Sequence, residues 1–277
     1  MDLRKDALDI LKQTSRTFYI PISRLPLELQ EAVASAYLCM RAIDQIEDHP
    51  ELDNPTKAKL LQTISLKLQA AVDGSALEEL GLALSPYQSV LEEVTIRVGE
   101  WALLAPVTIA PRIWEATAVM SDRMAYWATN NWEIHTEADL DRYTFGVAGA
   151  VGLLLSDLWV WYDGTQTNRA EAIGFGRGLQ AVNILRNHAD DLKRGVDFFP
   201  DGWSEEDMHR YARRNLTLAD AYTKALPLGP ALDFCKIPLA LAYATLNALV
   251  LGQHKLSRRA VIALVEQVTS NIRPHLF

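Results

Sequence analysis

Cysteine is scarce. Cys39 and Cys235 are the only two in 277 residues, far apart and in no CxxC pair. A disulfide-stapled scaffold is thereby excluded, and a reducing, cytoplasmic compartment is the default. Each cysteine is expected as a small buried apolar side chain. Met1 to Asp6 carries no apolar h-region, so no signal peptide is read there. The longest apolar stretch, Val147 to Leu155, is followed by Ser156 and Asp157. It is too short and interrupted for a membrane span and reads as a buried helix. The six histidines form no HExxH and no paired zinc spacing. A Walker loop, a GxGxxG fingerprint and a serine nucleophile elbow are all missing, and Gly174-Phe175-Gly176-Arg177-Gly178 reads as a helix segment built for close packing. Basic side chains are outnumbered 27 to 35, a net charge of −8, which argues against a nucleic-acid partner.

What remains is helix. Apolar residues recur at three- and four-residue spacing, and strict alternation is nearly absent. The pattern predicts helices over 26–48, 56–72 (ending at Asp73-Gly74), 86–101, 111–130, 136–161, 168–194, 204–214, 217–226, 238–251 and 257–272. Pro26 suits a first turn, and Thr136-Glu137-Ala138-Asp139 reads as a capping box. With no Ser/Gly linker, repeat or low-complexity tract, the expectation is one all-α domain over 1–277.

Two polar stripes cross these helices. Tyr37, Arg41, Asp44 and Asp48 lie four, three and four residues apart, on one face, with Glu47 beside them. Gln180, Asn183 and Asn187, followed by Asp190 and Asp191, form the second. An acidic run at a helix end is ordinarily a solvated face. Arg41 and Asp44 also suit a surface ion pair worth a few tenths of a kcal/mol. Here, however, the neighbours are mostly apolar, and an unpaired buried carboxylate costs several kcal/mol. A cation removes that cost. Oxygen donors without clustered His or Cys suit Mg²⁺, or Mn²⁺ in its place. Mg²⁺ held by few carboxylates usually shares its coordination with phosphate, so the pattern suggests a metal-bridged diphosphate in a helical cavity.

Ser15-Arg16-Thr17-Phe18 and the stretch Tyr37 to Asp48 resemble the opening of the squalene/phytoene synthase family. Tyr143 with Val147-Ala148-Gly149 is similar to that family's central segment. Gln180 to Arg186 with Asn187 to Asp191 resembles its second acidic motif, and Phe198-Phe199-Pro200 the segment after it. Phe234 to Pro238, with Ala244-Thr245-Leu246, resembles a late segment more typical of squalene synthases. The motifs come in family order.

The resemblance implies an isoprenoid-synthase-type helical bundle with a central cavity. It implies a Mg²⁺-dependent prenyltransferase that joins two farnesyl diphosphates head to head, through presqualene diphosphate, to squalene or a dehydrosqualene-like C30 product. NADPH is an optional reductant, used only on the squalene branch. By the same resemblance Asp44, Asp48, Asn187 and Asp191 form the metal set, and Tyr37, Tyr143 and Arg41 the catalytic set. The substrate-binding set is Ser15, Arg16, Phe18, Arg41, Val147, Gln180, Asn183, Arg186, Arg194 and Phe234. The partner is a prenyl diphosphate, with peripheral membrane contact as an option for product release and no oligomeric state specified. The chain departs from the family pattern at Asn187, where Asp is usual, and at Val196, where Arg is common, with Lys193 and Arg194 nearby. These departures keep alternatives open: a prenyl-diphosphate phosphatase or cyclase, or a non-catalytic prenyl-lipid-binding protein.

Overall fold

A computed structural model describes residues 2–71, 75–253 and 255–270, with all side chains in that range except that of Arg16. The expected arginine contact from Arg16 and the predicted helix end at 72–74 therefore lie outside the described residues. Among the described residues there is no strand. The chain gathers into two compact units that divide between Glu133 and Ile134.

The first unit holds α1 (Leu3–Thr14), α2 (Arg16–Ile22), α3 (Leu27–Glu47), α4 (Asn54–Ala70), α5 (Ser75–Leu84), α6 (Glu93–Ile96), α7 (Val98–Leu103) and α8 (Ala110–Thr129). Helix α3 packs against α1, α6, α7 and α8, so it is apolar on several sides and buries Leu38, Cys39, Ala42, Ile43 and Ile46. Each large aliphatic side chain buried this way contributes about 1.5–3 kcal/mol. Polar side chains pin it further: Ser35 Oγ donates to Trp101 O at 2.7 Å and Thr95 Oγ1 to Ala42 O at 3.1 Å. The helix predicted over 86–101 is instead a single turn at Ser85–Tyr87 followed by α6 and α7. The backbone leaves helical geometry at Arg97 (φ −93°, ψ 16°), whose guanidinium is spent on Asp6, Glu93 and Glu100. Helices α1, α2 and α5 have no counterpart among the predicted segments.

The second unit holds α9 (Glu137–Thr144), a π turn (Phe145–Gly149), α10 (Ala150–Asp163), α11 (Arg169–Lys193), α12 (Glu205–Ala225), α13 (Pro230–Val250) and α14 (Arg258–Ser270). The capping box at Thr136 and Asp139 forms as expected. Helix α11 lies against α12 on one side and the π turn with α10 on the other. Its glycines permit that double contact. A Cβ on Gly174 would sit 2.5 Å from Leu218 Cβ, and one on Gly176 would sit 2.8 Å from Gly149 Cα. A half-buried network ties α9 to α11 and α12: Tyr211 Oη donates to Asp141 Oδ1 (2.8 Å) and meets Thr144 Oγ1 (2.9 Å), while Arg177 Nη2 donates to Asp141 O (2.9 Å).

Two boundaries in this unit differ from expectation, and one apolar run is longer than it read. The helices predicted over 204–214 and 217–226 are the single helix α12, because Asn215 bonds back to Tyr211 O instead of capping. Pro238 does not begin α13 but lies inside it. The apolar run at Val147 belongs to a helical stretch, Glu137–Asp163, that is long and apolar enough to cross a membrane by length and composition. So is Pro230–Val250, and the apolar windows of the two are 44% and 50% buried. Both cysteines are free and buried, and burial raises the Cys39 thiol to about 12.

Candidate functional site

The C-terminal half of α3 carries the first constellation. Ser15 caps α2 by accepting from Phe18 N at 3.2 Å and also hydrogen-bonds the Tyr37 hydroxyl. The Phe18 and Tyr37 rings lie 5.4 Å apart, so α2 delivers Ser15 and Phe18 onto the face of α3 that begins the polar stripe. Burial raises the Tyr37 hydroxyl above the ordinary phenol range. Arg41 pairs with Asp44, and both side chains are about one-third exposed. Arg41 Nε is buried with no partner, so the guanidinium is under-satisfied. Asp48 closes the helix, its N–H donating to Asp44 O at 2.9 Å.

This helix end is electrostatically awkward. Asp44, Glu47 and Asp48 crowd the negative pole of the helix dipole, and no basic residue occupies the last turn. The protein relieves the crowding in three visible ways. Arg41 neutralises Asp44. Lys57 Nζ donates to Glu47 O at 2.7 Å. Glu47, buried, is pushed up to about 8, first by desolvation and then by the charges of Asp48 and Asp44. The stripe is less buried than its apolar neighbours suggested: Asp48 is exposed and Asp44 half-buried, and Glu47 is the carboxyl held in the core.

The second constellation lies along α11. Asn183 Oδ1 accepts from Arg186 Nη2 (2.6 Å) and from Asn187 Nδ2 (3.3 Å), and Asn187 Oδ1 accepts from Arg186 Nε (3.3 Å). Asp191 is buried and paired with Arg194, while Lys193 takes Asp190 at 2.7 Å. Of the two basic residues near Val196, Arg194 is thus the one engaged with the predicted ligand. Gln180 lies half-buried on the same helix. The Phe198-Phe199 segment folds back onto this unit: Phe198 stacks on Tyr143 (centroids 4.6 Å, 21°) and Phe199 on His188 (3.9 Å, 5°), with His188 Nε2 3.2 Å from Asp197 Oδ1. Val147 is buried in the π turn, a feature frequent at functional sites. Phe234 packs on Trp159 at 5.6 Å in the core of the same unit.

Among the described residues, no group of three or more His, Cys, Asp or Glu side chains is arranged to hold a metal alone. Mg²⁺ does not need one, since one or two carboxylates plus substrate phosphates usually complete its shell. Asp44 and Asp48, one helical turn apart, are the carboxylates that could serve as that pair. The crowded negative pole and the hard oxygen donors fit such a cation. Sequence reasoning singled out neither Lys57 nor Trp132, whose indole Nε1 donates to Glu47 Oε1 at 2.7 Å. A contact spanning 85 residues leaves no local signal.

The helical fold matches solved isoprenoid-type synthases. A structure described as TcSQS with the ligand E5700 superposes with a TM-score of 0.79 at 22% identity, over 98% of this chain and 89% of that one. A dehydrosqualene synthase in complex with a ligand gives 0.64 at 17% identity, over 98% and 96%. The squalene/phytoene synthase family profile matches residues 11–209. The chain belongs to the squalene/phytoene synthase family. It is similar to the squalene synthase of Schizosaccharomyces pombe (29% identical, 86% of this chain and 58% of that protein). It is likewise similar to that of Homo sapiens (26%, 88% and 63%). The chain thus spans about three-fifths of the length of these curated relatives.

Proposed function

We propose that this chain condenses two prenyl diphosphates head to head, with farnesyl diphosphate as the substrate, and that its two units act as one functional domain. The observation that carries the reading is the carboxylate crowding at the end of α3, which a cation shared with a diphosphate relieves. Family membership and the relatives' printed activity support it.

In this reading Asp44, Asp48 and Asp191, with Asn187 as a neutral oxygen donor, would be the ligands of the metal that carries the diphosphate. A bound Mg²⁺, or Mn²⁺, supplies Lewis-acid stabilisation of the charge on the departing diphosphate. Arg41, Arg186 and Arg194 donate charge-assisted hydrogen bonds to phosphate oxygens, in exchange for the intrahelical partners they now hold. The side chain of Arg16, outside the described residues, is assigned the same task by its motif. Gln180 and Asn183 orient that network, Asn183 already gripping Arg186. Ser15 and Phe18 fix Tyr37, and Phe198 fixes Tyr143. Each aromatic face can stabilise a passing allylic cation by about 0.5–2 kcal/mol. Val147 and Phe234 bound the prenyl chain. Peripheral membrane contact serves release of an apolar product.

A second reading has its own observation. Both ends of the Asn187 amide are engaged within α11, by Arg186 and Asn183. That weakens Asn187 as a metal ligand and favours an enzyme that ionises a prenyl diphosphate and stops at hydrolysis or cyclisation. Incubation with labelled farnesyl diphosphate and Mg²⁺, with and without NADPH, separates the two. Squalene formed only with NADPH, or a C30 product without it, supports condensation. Farnesol or a cyclic C15 product alone supports the second reading.

A further inference from the structure

Helix α8 ends in a Schellman motif. Asn130 is its C-cap, Asn131 N donates to Ala128 O at 3.3 Å, and Trp132 N donates to Trp127 O at 3.0 Å. That motif needs one left-handed residue, and Asn131 (φ 52°) serves, since asparagine tolerates the region. Trp132 is left-handed as well (φ 51°). For a bulky side chain this is an outlier, and ending the helix does not require it.

The strained backbone has one visible consequence, which is to aim the indole. Trp132 is buried, and its Nε1–H donates to Glu47 Oε1 at 2.7 Å. Lys57 Nζ lies 5.2 Å from the indole ring and donates to Glu47 O. Asn54 Nδ2 bonds Asn131 Oδ1 at 2.8 Å, so the start of α4 holds the same turn. Side chain and carbonyl of Glu47 are thus gripped from two elements. Glu47 lies between Asp44 and Asp48, in the last turn of α3. Holding it restrains the backbone turn that carries the two carboxylates on either side.

We propose that Trp132 is a positioning residue. Through Glu47, and with Lys57, it clamps the last turn of α3 so that Asp44 and Asp48 are preorganised for a divalent cation carrying a diphosphate. This rests on the functional reading above. The clamp acts through a hydrogen bond to an oxygen acceptor, so an amide at position 47 serves as well as a carboxyl.

The test uses the full chain and two readouts, amide hydrogen exchange over 44–49 and Mg²⁺-dependent binding of inorganic pyrophosphate by calorimetry. Trp132→Phe keeps the ring and deletes the donor. Trp114→Phe deletes an equivalent indole donor to Ala102 O (2.9 Å) elsewhere in the same unit and serves as the control. Glu47→Gln keeps the acceptor, and Glu47→Ala removes it should Trp132→Phe fail to fold. The expected result is exchange over 44–49 at least 10-fold faster, and the Mg²⁺ concentration for half-maximal pyrophosphate binding raised at least 5-fold, in Trp132→Phe and Glu47→Ala. Trp114→Phe and Glu47→Gln stay within 2-fold of the parent chain. Unchanged exchange in Trp132→Phe overturns the clamp. Faster exchange with an unchanged Mg²⁺ requirement, or an equal shift in Trp114→Phe, overturns the positioning role. A parent chain that binds no pyrophosphate at any Mg²⁺ concentration overturns the functional reading and the positioning role with it, while exchange still reports whether the clamp exists.

Discussion

Replacing Gly176 by alanine adds one methyl group at the closest approach of α11 to the π turn. That carbon would lie 2.5 Å from the Ala148 carbonyl carbon and 2.8 Å from Gly149 Cα, both backbone atoms. Carbon atoms pack at about 3.5–4.0 Å, so one segment must shift by roughly 1 Å. Overpacking of this kind costs about 1–3 kcal/mol, and the upper end applies where no side chain can rotate away. Helix propensity returns about 1 kcal/mol, since glycine in a helix interior is that much worse than alanine. The net loss is about 2 kcal/mol, a fall in Tm of roughly 4–8 °C for a chain of this size. Gly81, inside α5, is the internal control. A Cβ there meets nothing nearer than Ile96 O at 3.9 Å. Gly81→Ala should therefore raise stability by up to about 1 kcal/mol. Thermal and urea denaturation of the two variants, followed by circular dichroism, gives the comparison. Equal effects, or a stabilised Gly176→Ala, would refute the packing argument.

Three further outcomes follow from the same geometry. The Asp139 carboxyl is held down at about 2, first by its bond from Thr136 and then by Arg142. A depressed folded pKa adds stability above the unfolded value near 3.8 that is lost as pH falls toward 2. Urea titrations between pH 5 and pH 2 should thus show a shallower acid loss in Asp139→Asn than in the parent chain, and identical slopes would dismiss the capping box as the source. Tyr211→Phe deletes the hydroxyl shared by Asp141 and Thr144 and should cost about 1–3 kcal/mol in urea unfolding; a neutral result would mean the network holds nothing. Asp191→Asn should raise the Mg²⁺ requirement for turnover roughly 10–100-fold with little change in Tm, the scale seen when metal sites lose a supporting group. A large drop in Tm with an unchanged requirement would make Asp191 a structural partner of Arg194.

How much of this was legible in the chain depends on the range of each interaction. The stripes on α3 and α11 could be read because helical periodicity is local, and the pairs Arg41–Asp44 and Asn183–Arg186 fall at that spacing. The close packing of Gly174, Gly176 and Gly178 could be read from their alternation. The π turn could not, since Val147 to Leu155 is a continuous apolar run that gives no sign of an extra residue per turn. The break expected between 214 and 217 does not form, since the Asn215 side chain donates to Tyr211 O and α12 continues. The division between Glu133 and Ile134 has no Gly, Ser or Pro signal beside it. Glu47 was visible only as a neighbour of the acidic stripe. Its burial and its grip by Trp132 are tertiary facts.

The proposed function has Asp44 on α3 and Asp191 on α11 act on one diphosphate through divalent metal. A double-mutant cycle on Mg²⁺-dependent pyrophosphate affinity, with Asp44→Asn, Asp191→Asn and the pair, measures this directly. Shared service predicts strong non-additivity, with the double variant binding within about 3-fold of the weaker single variant. Losses that simply multiply would mean that the two carboxylates are not coupled through a shared metal, the opposite of what shared coordination predicts.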